Sequence, residues 1–134
     1  MSSSSKQILR QQIRQLFRSI STDDRVDQSK RLTKLLLHHP KYISAKSISI
    51  YVHMENEVST RDVMNDAFQS KKNVFIPRYH QESNQMEMVR IYSLEDLDSL
   101  PMTKWKIRQP SLDDQTREVA RGNLDLIIVP GLAF

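Results

Sequence analysis

Four basic side chains recur at every fourth position near the start of the chain: Lys6, Arg10, Arg14 and Arg18. Residues four apart lie on one face of a helix, so these side chains form a slowly drifting basic stripe. Residues 1–46 carry ten Lys and Arg against three Asp and Glu. This charge can attract an anion such as a nucleotide, a nucleic acid or a polyglutamate chain. The alternative is a solvated helix face, because exposed charged pairs contribute little energy.

A second group of side chains offers a carboxylate and apolar surfaces. Glu57 lies just past a predicted strand end, in the turn before a predicted helix, and a carboxylate can accept two N–H bonds there. Tyr79, Met86 and Trp105 are the apolar candidates, because flat and polarizable side chains suit an aromatic ligand. Val52 ends the strand before Glu57. The alternatives are an exposed loop acid for Glu57 and core positions for Val52 and Met86.

The composition excludes several kinds of site. The sequence has only two glycines in 134 residues, where the average usage of roughly 7% predicts about nine. It therefore contains no complete glycine-rich phosphate loop. With no Cys, it has no disulfide, cysteine nucleophile or thiolate zinc site. His38 and His39 stand at a predicted helix end, where cationic His favours the helix dipole, and no further ligand cluster stands near them in sequence.

Two helices are predicted before the first strand. The first covers residues 6–20 and has one apolar stripe, formed by Leu9, Ile13, Leu16 and Ile20. Ser21 opens the second with a capping box, because an acid follows three residues later. Pro40 ends that helix near His39. The Ser-rich residues 1–5 are predicted to be disordered.

The first twenty residues are basic and contain no acid. That is the composition of a mitochondrial transit peptide. The alternative is a helix of the mature domain, which we favour because the same segment can be assigned a role in the fold. A cytoplasmic location is therefore predicted, with a mitochondrial one as the alternative. The sequence contains no run of eighteen apolar residues, so no transmembrane helix is predicted.

Apolar runs predict a sheet with strands at residues 47–53, 73–76, 86–91 and 126–129. A helix with a capping box at Ser59 joins the first two strands, which predicts a parallel βαβ unit with a right-handed crossover. One helical turn is expected at 93–97 and a short helix near 112–121. The length predicts a single domain. The fold class is therefore α/β, a three-layer αβα arrangement with a largely parallel, Rossmann-like sheet.

In open sheets of this kind the ligand lies beyond the carboxyl ends of the strands, here residues 53–57, 77–79 and 130–134. The last strand is apolar on both faces, which predicts a position in the middle of the sheet. A return helix normally follows such a strand, so the chain is interpreted as truncated at its C-terminus. Uncovered apolar sheet surface would then make it poorly soluble.

Six segments occur in a specific order: K-x-x-x-R at 6–10, S-I-S-I-Y-V-H-M-E-N-E-V-S-T at 47–60, I-P-R-Y at 76–79, M-E-M-V-R-I at 86–91, L-P-M-T-K-W-K-I-R-Q-P at 100–110 and L-D-L-I-I-V-P-G-L-A-F at 124–134. Together they resemble the 5-formyltetrahydrofolate cyclo-ligase, or 5,10-methenyltetrahydrofolate synthetase, family. The likeness covers nearly the whole chain after Ser5. One departure is Arg108, which stands where the family commonly has Pro.

The resemblance implies an enzyme that uses ATP and Mg²⁺ to convert 5-formyltetrahydrofolate into 5,10-methenyltetrahydrofolate. The formyl oxygen on N5 is phosphorylated, N10 attacks, and loss of phosphate closes the ring. In that family a Gly-, Arg- and Lys-rich loop after the last strand binds the ATP phosphates and magnesium. The written sequence lacks this loop, so we expect an incomplete cyclo-ligase domain over residues 1–134 with no metal ligand of its own. The alternative is a catalytically inactive isoform or fragment.

The resemblance also implies roles for individual residues. Lys6 and Arg10 would contact the ATP phosphates, whereas the role of Arg14 stays open. Glu57 would contact the pterin, and the other residues of the folate pocket would be Val52, Tyr79, Met86 and Trp105. No catalytic residue is predicted. The expected partner is a small-molecule folate, possibly polyglutamylated in its tail, bound by a monomer. A nucleic-acid-binding module is disfavoured, because the aromatic residues and the basic helix lie far apart in sequence.

Overall fold

The computed structural model describes residues 3–131 except 81 and 84. Its helices are α1 (Ser3–Arg18), α2 (Thr22–Leu37), α3 (Pro40–Ser44), α4 (Arg61–Gln69) and α5 (Leu94–Ser99). Its strands are β1 (Ser47–Ile50), β2 (Asn73–Tyr79), β3 (Met86–Ile91) and β4 (Leu126–Ile128). In this described part of the chain, no helix is long and apolar enough to cross a membrane.

The four strands form one sheet in the order β3-β2-β1-β4. β1 pairs in parallel with β2 and with β4, and β3 pairs antiparallel with β2. The α/β class and the largely parallel sheet are therefore confirmed, and β1–α4–β2 is the predicted βαβ unit. The expected middle strand, β4, lies instead at the end of the described strand order, where Ile127 is exposed.

The main core lies on one face of the sheet. Alternate residues of a strand point to opposite faces, so Ile48 and Ile50 of β1 share a face with Val74 and Ile76 of β2, and all four are fully buried. The helices α3, α4 and α5 add further buried members of this cluster: Tyr42, Val63, Met64, Ala67 and Leu97. Each such side chain contributes roughly 1.5–3 kcal/mol of burial energy. This layer fixes the positions of the strand ends.

The other face of the sheet is more polar. This face carries Ser49, whose hydroxyl hydrogen-bonds the sulfur of Met88 at 2.9 Å. Phe75, beside Ser49 on the same face, is a fully buried apolar side chain. The helix predicted near 112–121 is absent. That segment forms turns, and its Val119 makes an antiparallel bridge with Val89 of β3. The prediction failed because residues 118–120 hydrogen-bond the backbone of β3 instead of their own chain.

The helix ends follow local chemistry. Ser21 caps α2, since its hydroxyl accepts a hydrogen bond from the backbone N–H of Asp24 at 3.1 Å. Pro40 follows the end of α2 and also begins α3. Its missing N–H costs nothing there, because N–H groups in the first turn of a helix have no partner within the helix. The capping box predicted at Ser59 does not form. Thr60 is the N-cap residue, and its hydroxyl donates to Tyr51 O instead.

Helix α1 begins at Ser3, within the segment for which the sequence predicts disorder. Its apolar stripe also differs from the prediction at one position. Leu16 is 65% exposed, whereas Phe17 is half-buried. With 3.6 residues per turn, Phe17 is the better continuation of Leu9 and Ile13.

Strand β2 continues past Pro77, the residue predicted to end it. It is longer because β3 pairs with it through Tyr79. The backbone N–H and C=O of Tyr79 point away from β3. The backbone nitrogen of Pro77, two residues earlier, points the same way. The pairing of β2 with its neighbour on that side, β1, ends at Phe75, so Pro77 lies just past that ladder.

Candidate functional site

A cavity of about 640 Å³ lies at the carboxyl ends of the strands. Residues of all three predicted strand-end segments line it, and the irregular segment after α5 closes one side. The structure brings together here all five residues that the sequence predicts for a folate pocket: Val52, Glu57, Tyr79, Met86 and Trp105. They come from four separate parts of the chain, so the fold, and not sequence proximity, assembles them.

The walls of this first cavity are mostly apolar and partly open. Tyr79 and Met86 are partners across β2 and β3, so their side chains lie on the same face. Both are partly exposed, as is Trp105 of the irregular segment after α5. Pro77 lines the same wall. Flat and sulfur-containing walls of this kind bind an aromatic ring well.

Trp105 stands at the tip of a hairpin of residues 101–109, the Trp105 hairpin. Met102 and Arg108 form an antiparallel bridge, and the N–H of Thr103 donates to Ile107 O at 2.9 Å. The ammonium of Lys104 lies 4.7 Å from the centre of the Trp105 ring. Arg108, at the position where the resembled family commonly has Pro, donates to Leu100 O at 2.7 Å, so its side chain supports the hairpin.

Glu57 is the carboxylate of the cavity. It lies in the loop between β1 and α4, and its Oε1 accepts the backbone N–H of Met54 at 2.8 Å. One carboxylate oxygen thus fixes the loop. Burial raises the pKa of Tyr51 and of Tyr79, and the negative charge of Glu57 raises both further. Both phenols therefore stay protonated at neutral pH and can donate hydrogen bonds.

The same loop is held by a buried hydrogen-bond chain. Nδ1 of His53 accepts the backbone N–H of Thr60 at 3.2 Å, and the hydroxyl of Thr60 donates to Tyr51 O at 2.9 Å. The phenol of Tyr51 in turn donates to Val58 O at 2.9 Å. Burial lowers the pKa of His53, so its ring is neutral at pH 7. These bonds close the loop that presents Glu57.

A second cavity, of about 580 Å³, adjoins the first. The two share four lining residues: Tyr51, Met54, Glu57 and Pro130. Three guanidinium side chains line the second cavity, those of Arg14, Arg18 and Arg25. Arg25 is held in place by bonds to Asn56 Oδ1 at 2.7 Å and Phe17 O at 2.5 Å. An anion placed here would lie beside a ligand of the first cavity.

Lys6 and Arg10 lie on α1 but line neither cavity. Lys6 lies about two turns before Arg14, and Arg10 about one turn before it, on the same face of α1. The basic stripe therefore runs along α1 from Lys6 towards the second cavity. Both side chains are exposed. Of the basic stripe, the structure brings Arg14 and Arg18 into the second cavity and leaves Lys6 and Arg10 outside both cavities.

The sequence model of the 5-formyltetrahydrofolate cyclo-ligase family matches residues 2–134. The chain belongs to this family. The match covers the basic stripe, the strand ends and the Trp105 hairpin, so both cavities are built from cyclo-ligase family sequence.

Curated relatives carry the same family name. The chain is 42% identical over 132 residues to the 5-formyltetrahydrofolate cyclo-ligase of Mus musculus, covering 98% of the chain and 65% of that relative. It is 33% identical over 130 residues to a probable 5-formyltetrahydrofolate cyclo-ligase of Caenorhabditis elegans, covering 96% and 63%. The chain therefore spans less than two thirds of the length of these relatives.

A solved structure supports the fold. The Aquifex aeolicus 5,10-methenyltetrahydrofolate synthetase superposes with a TM-score of 0.76 at 23% identity, over 96% of this chain and 61% of that one. At this identity the likeness shows the fold alone. It agrees with the observed mixed sheet and the helices around it.

Several cavity residues were assigned no binding role from the sequence. His80, Gln85 and Ile107 line the first cavity, and Arg18 and Arg25 line the second. Arg18 had a signal, because it continues the fourfold spacing of the basic stripe. His80 and Ile107 had none, since only the folded positions of β2 and of the Trp105 hairpin bring them together. Among the described residues, no group of three or more His, Cys, Asp or Glu could hold a metal ion.

Proposed function

We propose that this cyclo-ligase family chain acts in the ATP-dependent conversion of 5-formyltetrahydrofolate into 5,10-methenyltetrahydrofolate. The observation that carries the proposal is the assembly of Val52, Glu57, Tyr79, Met86 and Trp105 around one cavity at the strand ends. Family membership over residues 2–134 supports the same reaction. The proposed ligand of the first cavity is the folate.

The chemistry of the first cavity suits a pterin. The second oxygen of Glu57 is free of the bond to Met54 and can accept an N–H from the amino-pyrimidinone edge. Tyr79 and Trp105 face the ring and the benzoyl group from two sides. A cavity of about 640 Å³ is within the range that holds a small-molecule ligand.

The proposed place for the ATP phosphates is the basic stripe. Lys6 and Arg10 contact the phosphates, and Arg14 and Arg18 continue the positive charge into the second cavity. Because that cavity shares Glu57 with the first, a phosphoryl group there lies near the folate. The described residues provide no acidic cluster for Mg²⁺, so we assign no ligand to the metal and derive no step through it.

In the proposed reaction the formyl oxygen attacks the γ-phosphorus and ADP leaves. N10 then attacks the activated formyl carbon and loses its proton to solvent, and the carbon–oxygen bond breaks to release phosphate. The protein holds the two substrates in contact, which removes most of the entropy cost of their encounter. Its guanidinium and ammonium groups stabilise the charge that develops on the transferred phosphoryl group.

The experiment is a turnover and binding assay of the 134-residue chain. ATP, magnesium and 5-formyltetrahydrofolate are mixed with the protein, and the methenyl product is followed by its absorbance. In parallel, quenching of Trp105, the single Trp of the sequence, reports folate binding. Binding with product formation supports the full reaction. Failure of 5-formyltetrahydrofolate to bind contradicts the proposal.

The second candidate function is folate binding without turnover. The low glycine content favours it, because two glycines in the whole sequence are too few to form a glycine-rich phosphate motif. In the same assay this candidate predicts quenching of Trp105 by folate and no methenyl product.

The contribution of the basic stripe is tested with Arg10→Ala. We expect the apparent Kd or KM for ATP to rise by about tenfold, as loss of one charge-assisted hydrogen bond predicts, and the value for folate to change little. Arg31→Ala is the control, because Arg31 is an exposed basic residue of α2 paired with Asp27. A larger effect on folate than on ATP would refute the phosphate assignment.

We further propose a monomer that acts on a small-molecule folate in the cytoplasm, with the mitochondrion as the alternative location. The bond of Arg25 to Phe17 O and the place of Arg14 in the second cavity support a structural role for α1. A fluorescent fusion at the C-terminus, with and without Arg14→Glu and Arg18→Glu, tests the location. Mitochondrial import abolished by these substitutions would favour the alternative.

A further inference from the structure

Gln109 is a buried polar residue at the base of the Trp105 hairpin, with 7% of its surface exposed. Its Oε1 accepts the backbone N–H of Tyr79 at 3.0 Å, and its Nε2 donates to Tyr79 O at 3.1 Å. A single side-chain amide thus satisfies both backbone groups of one strand residue. A buried Gln is retained in this way only when its donor and acceptor are both used.

The two bonds replace a missing strand. β2 extends to Tyr79, but its parallel neighbour β1 ends at Ile50, so the backbone of Tyr79 has no strand partner on that side. The side-chain amide of Gln109 has the same donor and acceptor arrangement as a peptide group and occupies that place. Without it, a partly buried N–H and a partly buried C=O would lose their partners.

Gln109 also closes the hairpin. Its backbone N–H donates to Pro101 O at 3.2 Å, at the base of the segment that carries Trp105. Nearby, the buried guanidinium of Arg78 donates to Ser111 O and to Asp114 O, each at 2.8 Å. The hairpin and the segment after it are thus held to the last two residues of β2.

We propose that Gln109 is a positioning residue that fixes the distance between the Tyr79 wall and the Trp105 wall of the first cavity. Gln109 is not among the residues that line this cavity. It acts through Tyr79 on one side and through the hairpin on the other. The part of this inference that concerns folate affinity rests on the proposed function.

The test is Gln109→Met in the 134-residue chain, because Met keeps the length of the side chain and removes both hydrogen bonds. Gln115→Met is the matched control, since Gln115 is exposed in the same segment. Three quantities are measured well below the melting temperature: the Trp105 emission maximum, its quenching by acrylamide, and the Kd for 5-formyltetrahydrofolate. We expect Gln109→Met to shift the emission to the red, increase quenching and raise the Kd about tenfold. The control should match the wild type.

Gln109→Asn keeps the amide but shortens the side chain by one methylene, so both bonds to Tyr79 weaken and we expect intermediate acrylamide quenching. It also carries the test if Gln109→Met does not fold. Loss of melting temperature with wild-type Trp105 quenching and wild-type Kd would overturn the proposal, because Gln109 would then only stabilise the fold. If the wild type itself does not bind 5-formyltetrahydrofolate, the proposed function fails, and the Trp105 quenching alone decides the role of Gln109.

Discussion

At the scale of single residues, Glu57 has the most connections to the proposed chemistry. It lines the first and second cavities, and also a third of about 420 Å³ between α2 and the β1–α4 loop. One oxygen fixes the loop through Met54, and its charge acts on Tyr51 and Tyr79. In the proposed function, the side chain at this junction contacts the folate and lies beside the contents of the neighbouring cavity.

The first prediction concerns Glu57→Gln. The amide oxygen can still accept the N–H of Met54, so the loop should keep its shape, but the side chain no longer offers two anionic acceptors. We expect the Kd for 5-formyltetrahydrofolate, measured by Trp105 quenching, to rise by about tenfold or more. Glu55→Gln is the control, because Glu55 lines only the third cavity. Equal effects of the two substitutions would contradict a direct contact between Glu57 and the ligand.

At the scale of elements, the connection from β1 to α4 depends on the neutral form of His53. Its Nδ1 can accept the N–H of Thr60 only when it carries no proton. Burial lowers the pKa of His53 from its ordinary value of 6.5, and the positive charge of Arg61 adds to this, whereas Glu57 opposes it. The loop that carries Glu57 therefore has a built-in dependence on pH.

The second prediction follows from the direction of this shift. Above pH 6.5 both the folded and the unfolded His53 are neutral, so its contribution to stability is complete. As the pH falls below 6.5, the unfolded chain binds the proton first, and the free energy of unfolding decreases. We expect urea denaturation at about pH 7.5 and about pH 5.5 to show a smaller pH effect in His53→Gln than in the wild type. His38→Gln, at an exposed position, should retain the full effect.

The third prediction concerns the ion pair that joins the irregular segment to α5. Arg117 donates two hydrogen bonds to Asp96, at 2.7 and 2.8 Å, and also donates to Arg90 O of β3. The guanidinium lowers the pKa of Asp96, which shows that the pair favours the charged carboxylate. We expect Arg117→Met to reduce the free energy of unfolding by about 2 kcal/mol, because a largely buried carboxylate loses its partner.

The control for this prediction is the exposed pair of Arg31 and Asp27 on α2. Arg31→Met should change the free energy of unfolding by less than about 0.5 kcal/mol, as exposed pairs do. Chemical denaturation of the two variants gives the comparison. Similar losses in both would mean that burial of the Arg117 pair contributes nothing.

The sequence predicts elements better than their ends. The strand at 86–91 and the cap at Ser21 were predicted as observed, because period-two alternation and capping boxes are local signals. The extension of β2 through Pro77 was not, because it depends on pairing with β3. The grouping of the five folate-pocket residues was predicted through the family resemblance. The contacts of Gln109 and Arg25 depend on tertiary positions that no local pattern encodes.

At the scale of the whole molecule, the two faces of the sheet differ. The helices α3 to α5 pack their buried side chains, and α2 its partly buried Leu36 and Leu37, on the face of Ile48 and Ile50. On the other face, Ile127 and Val129 are 52% and 61% exposed. Among the described strands, β4 is hydrogen-bonded only to β1, so its outer edge presents unpaired backbone groups beside these apolar side chains. An exposed apolar edge strand is a template for association.

The last prediction is that the 134-residue chain, a monomer when dilute, aggregates through this edge at high protein concentration. Ile127→Lys places a charge on the exposed face of β4 without changing the core, since Leu126 and Ile128 face the main cluster. We expect it to raise the protein concentration at which light scattering begins, by about threefold or more, because like charges oppose edge-to-edge pairing. Leu35→Lys is the control, because Leu35 is equally apolar and is exposed on α2, away from any strand edge. If Leu35→Lys delayed scattering as much as Ile127→Lys, added charge alone would account for the effect, and the edge of β4 would have no special part in association.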